Sequence, residues 1–65
     1  MVTEKDIYIS AKLLIDQHGE DAAAHAAMRA DELQDQGDRK GAHVMLRVIR
    51  AISVIEMEEA PGTVH

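Results

Sequence analysis

His18, Asp21 and His25 are the residues whose types and spacing come nearest to a metal centre. Asp21 and His25 lie four apart, so one helix face can carry both, and His18 precedes His25 by seven across a glycine. Such a set suits a divalent cation, but a stable site needs three or four ligands and groups behind them that fix their orientation. No cysteine pair and no His-Glu-x-x-His pattern supplies the rest. The preferred reading is structural: His18 closes a helix, and His25 pairs with Asp21 as a surface contact worth about a few tenths of a kcal/mol. No metal and no other cofactor is expected. The hydroxyls Thr3, Ser10, Ser53 and Thr63 sit in no glycine-rich turn and have no base at local spacing. No glycine pattern of a phosphate loop is present. A short chain also leaves little room for a pocket of about 300 Å³ inside one subunit. An enzyme is not expected.

A second cluster, Arg39, Lys40, His43, Arg47 and Arg50, is basic, and all but Arg39 share one face at spacings of three or four. Lys40, Arg47 and Arg50 could grip phosphates, as in a small helix-turn-helix-like regulator bound to nucleic acid. The competing reading pairs this stripe with Asp31, Glu32, Asp35 and Asp38, which an antiparallel hairpin brings alongside. The charge balance favours pairing: seven bases against twelve acids give a net charge of −5, which disfavours nucleic acid and anionic lipid as partners.

Three helices must position these side chains. Thr3 followed by Asp6 reads as a helix start with acids in the first turn, and that helix runs to about His18. Its inward face is Ile7, Ala11, Leu14, Ile15 and His18, with Tyr8 alongside and with Ile9 and Leu13 off the stripe. Gly19 is the natural residue to close it, because glycine takes a left-handed conformation without steric cost. A second helix over about residues 20–36 starts with Glu20 and Asp21 at the positive end of its dipole. Its alanines, 22, 23, 24, 26, 27 and 30, make it a thin spacer. Gly37 ends it and Asp38 caps a third helix over about residues 39–59, which Pro61-Gly62 stops, leaving a frayed end over 60–65. Gly41, in the first turn of that helix, is expected to permit close contact with the second helix.

The third helix is the most unusual element. From Ala42 to Met57 every residue is apolar except His43, Arg47, Arg50, Ser53 and Glu56, which form one narrow stripe. A helix at the edge of a small bundle needs an apolar band of only about 100° or somewhat more. Its charge also opposes its dipole at both ends, with Arg39 and Lys40 first and Glu56, Glu58 and Glu59 last. Antiparallel pairing with the same helix of another subunit answers both peculiarities. The expected interface is a seam of Val44, Val48, Ala51, Ile52 and Ile55, bordered by Arg47 and Glu56. If the first helix covers that face instead, the bundle is self-contained.

Length and composition set the stakes. Sixty-five residues make one domain, with no cysteine, no Phe or Trp, and Tyr8 as the single aromatic. Single cores this small rarely supply more than about 3 to 5 kcal/mol, and natural examples add disulfides, metals or oligomerisation. Neither a leader pattern nor an apolar run of about 20 residues is seen, so no membrane association is expected and the cytoplasm is the default compartment. The expected whole is an all-α, antiparallel three-helix bundle that dimerises through its third helix. Its expected role is a non-enzymatic interaction or regulatory module, with itself, as a dimer or higher oligomer, or another protein as partner.

The stretch Leu14-Ile15-Asp16-Gln17-His18-Gly19-Glu20-Asp21-Ala22, continued by His25-Ala26-Ala27-Met28-Arg29-Ala30-Asp31-Glu32-Leu33, resembles a group of short uncharacterised bacterial proteins. In that group a similar pair of helices is followed by Gly-Asp and an apolar third helix. The resemblance covers about Asp6 to Ile55. It implies a bacterial source and carries over no activity, ligand or catalytic residue. Within it, the polar junction His18-Gly19-Glu20-Asp21 is the place where a partner could be served as readily as the fold.

Overall fold

The computed structural model describes residues 2–59. The expected stop at Pro61-Gly62 and the frayed end lie outside the described residues. Three helices, α1 (Glu4–His18), α2 (Ala22–Asp35) and α3 (Arg39–Glu59), are joined by a single 3-10 turn at Gly19–Asp21 and a tight turn after Asp35. There is no strand among the described residues.

Local chemistry sets the helix ends. Thr3 and Asp6 form a reciprocal cap: the Asp6 backbone N–H donates to Thr3 Oγ1 at 3.1 Å, and the Thr3 N–H donates to Asp6 Oδ2 at 3.1 Å. Gly19 ends α1 at φ 58°, ψ −125°, and its N–H donates to the Ile15 carbonyl. That backbone lies outside the ordinary left-handed helical well and is more restrictive still for a residue with a Cβ. Glu20 and Asp21 belong to the 3-10 turn rather than to the first α-helical turn of α2, and the Asp21 side chain makes no capping hydrogen bond. Gly37, at φ 82°, closes the second connection, and Asp38 Oδ1 accepts from the Gly41 N–H at 2.9 Å to start α3.

All three helices pack on one another, and the α2–α3 contact is the most extensive. Ala22, Ala26 and Ala30 are buried, so α2 is thin where it meets its neighbours, while Ala24 and Ala27 face outward. The core joins Ile7 and Ala11 of α1, Ala22 and Ala26 of α2, and Val48, Ile52 and Ile55 of α3. Here the structure corrects the expected seam. Val48, Ile52 and Ile55 are 1%, 0% and 2% exposed within the single chain, and Val44 and Ala51 are partly buried against the same core. Helices α1 and α2 together supply the cover, through Ile7, Ala11, Leu14 and Ile15 of α1 and Ala22, Ala23 and Ala26 of α2. Val48, Ile52 and Ile55, assigned to a neighbouring subunit, are therefore part of the chain's own interior, while Val44 and Ala51 are only partly covered.

Gly41 sits against the cap of α3. The nearest heavy atoms to a Cβ at that position are those of the Asp38 carboxylate, with Oδ2 at 2.5 Å and Cγ at 2.9 Å, and none belongs to α2. The glycine makes room for the cap. No helix among the described residues is long and apolar enough to cross a membrane.

Candidate interaction groove

The third helix carries more apolar surface than its own core uses, and part of the remainder, at Val54, lines a groove between α1 and α3. Ile7, Tyr8, Ala51, Val54 and Ile55 line an open depression of about 600 Å³, rimmed by Glu4, Lys5, Arg47 and Arg50. The volume exceeds what a chain of this length is expected to offer, because the space lies open between two helices rather than enclosed within the core. Ile7 and Ile55 form its buried floor. Tyr8 is 51% exposed and Val54 48%, and Met57, one turn beyond Val54, is 76% exposed.

Helix periodicity explains the placement. Ile7 and Ala11 point α1 at the core, and Tyr8 lies on the adjoining flank; Val48, Ile52 and Ile55 point α3 at the core, which turns Arg47, Arg50 and Val54 outward. The guanidinium of Arg47 donates to Glu4 Oε1 and ties the start of α1 to the middle of α3. With Lys5 and Arg50 added, the rim holds three bases against one acid, in a chain whose net charge is −5. The groove therefore offers apolar walls under a locally positive field, which suits an occupant that is both apolar and acidic.

The other candidate residues are arranged differently from expectation. The stripe does not pair with the acids of α2: among the described residues no ion pair joins Arg39, Lys40, Arg47 or Arg50 to Asp31, Glu32 or Asp35. Arg29 takes Glu32 instead, at 3.3 Å on the surface of α2, and Asp38 serves as a cap. Of the three phosphate-binding candidates, Arg47 is engaged by Glu4, whereas Lys40 and Arg50 are exposed. Glu56, named as a border of the seam, is exposed on α3.

At the first junction the rings of His18 and His25 stack, with centroids 3.6 Å apart and planes 15° from parallel. Ring-nitrogen lone pairs lie in the ring planes, so stacked imidazoles direct them side by side rather than toward one shared ion. Asp21 does not complete a set: no group of three or more His, Cys, Asp or Glu among the described residues is placed to hold a metal.

Val54 is a groove residue that sequence reasoning passed over, and Tyr8, placed beside the inward face of α1, stands half exposed at the groove. The available signal was the excess itself, since an apolar run too broad for one core must leave some members outside, and Leu46, Val54 and Met57 are those left over. No family model, curated protein or solved structure matches this chain, so the roles of its residues rest on this geometry.

Proposed function

We propose that this protein is a small, non-enzymatic interaction module that works by docking a polypeptide in the α1–α3 groove. One observation carries the reading: Tyr8 and Val54 stay half exposed on either side of an apolar depression whose rim is basic. Rigid helices that hold aromatic and aliphatic side chains partly in water, between charged groups, have the composition of a contact surface, with an apolar centre and a polar border. The groove lacks the convergent acid, base and nucleophile that a reaction needs; its titratable groups are Glu4, Lys5, Tyr8, Arg47 and Arg50, and Glu4 is held by Arg47.

The test is a nuclear magnetic resonance map of isotopically labelled protein, recorded in concentrated solution of the protein itself and in unlabelled lysate of the source cells. Signals of Tyr8, Ala51 and Val54 should shift or broaden in at least one of these, and Val54→Asp should abolish the response. That substitution sits at an exposed position, so in dilute solution, where nothing is docked, its unfolding free energy should stay within about 0.5 kcal/mol of the parent. Perturbation confined to Ile9 and Leu13 on the far side of α1, or absent under both conditions, overturns the reading.

A further inference from the structure

The outer face of α3 carries a pattern that selects its own occupant. Arg47, Arg50, Ala51, Val54, Met57 and Glu58 follow one another at spacings of three, one, three, three and one, which places them on a single helix face. Bases come first, small and apolar residues follow, and an acid closes the series. We propose that the groove receives a second copy of this chain, α3 lying antiparallel on α3 with the two-fold axis at Val54. The inference rests on the reading of the groove as a docking site.

In a two-fold antiparallel pair, a residue a given number of places after the axis lies opposite the residue the same number of places before it in the other copy. With the axis at Val54, the two Val54 side chains meet each other. Met57, at 76% exposure the most protruding apolar side chain, falls on the second copy's Ala51, the smallest residue of the face and part of the groove. Glu58 falls on the second copy's Arg50, and the symmetry repeats each contact. Around the Val54 pair, large meets small and acid meets base.

A slip of four residues in one direction sets Val54 against Glu58, and in the other it sets Val54 against Arg50, burying charge on an apolar centre in both cases. A slip of three in one direction sets Glu58 on the second copy's Arg47, a guanidinium that Glu4 already holds, and Met57 on the buried Val48; in the other it leaves Glu58 opposite Ser53, without a base. The antiparallel arrangement also aligns the two helix dipoles favourably and brings a base to the negative end of α3, where Glu56 and Glu58 otherwise stand unfavourably. The partner chemistry that the rim demands, apolar and acidic, is thus present in the chain's own Met57-Glu58.

Sedimentation equilibrium over a dilution series tests the proposal with Arg50→Glu, Glu58→Arg and their equimolar mixture, helical content being followed by circular dichroism. Both residues are exposed, so each variant should fold as the parent does. Wild type should dimerise, and each single variant should weaken the dimer about tenfold or more by setting like charges opposite each other twice. The mixture should recover it, because a heterodimer of the two variants restores opposite charges at both contacts. A wild-type protein that remains monomeric at the highest concentration overturns the second copy as occupant. The groove reading is then judged separately by its lysate response. A wild-type dimer that the mixture fails to recover overturns this register and leaves self-association in place.

Discussion

Single residues decide the two turns of this protein. Gly19 holds φ 58°, ψ −125° with open space around the position a Cβ would take, so the obstacle to any other residue is backbone strain rather than crowding. Gly19→Ala should cost about 1 to 3 kcal/mol, read as a lower midpoint in urea denaturation. That is a large part of the roughly 3 to 5 kcal/mol that a single small core supplies. Gly41 is constrained differently, since a methyl group there would push on the carboxylate that caps α3. The gain in helix propensity and the loss of the cap are each worth about 1 kcal/mol and oppose each other. Arg47 and Glu4 form a surface pair, with the Glu4 side chain 85% exposed, and such pairs contribute at most about 1 kcal/mol. Their service is to fix where α1 begins along α3, which sets the mouth of the groove.

At the scale of elements, α2 is defined by what it lacks. Ala22, Ala26 and Ala30 present methyl groups to the interior, so the backbones of neighbouring helices come close and the core has no slack along that side. Ala26→Leu should therefore destabilise by about 1 to 3 kcal/mol through overpacking, while Ala27→Leu, one position along and exposed, should leave the unfolding midpoint nearly unchanged. Equal effects at the two positions would show that α2 does not pack by this face. The same element shows what could be read in advance. The caps at Thr3 and Asp38 and the closures at Gly19 and Gly37 were legible because each depends on residues within a few positions of it. The broad apolar character of α3 was legible too, but not which arc of it the chain would cover. That choice depends on the angle at which α1 crosses α3, and no periodicity within either helix encodes it. The stacking of His18 on His25 was hidden for a related reason: residues seven apart across a turn meet only through the particular path that Gly19 imposes.

At the scale of the molecule, the core of a 65-residue chain without cysteine is small, and the proposed association would add to its stability by mass action. The melting temperature of the wild-type protein should rise by a few degrees for each tenfold increase in concentration, and that of Val54→Asp should not. A wild-type melting temperature independent of concentration would locate all of the stability in one subunit. The division of α3 gives this its wider meaning. Ile55 is the last fully buried side chain of the helix among the described residues, and Met57 and Glu58 stand beyond it in water. Among the described residues, the buried part of α3 ends before Met57 and Glu58. Descendants of this sequence can therefore rewrite that final turn, exchanging one companion for another or for none, while the architecture beneath is inherited untouched.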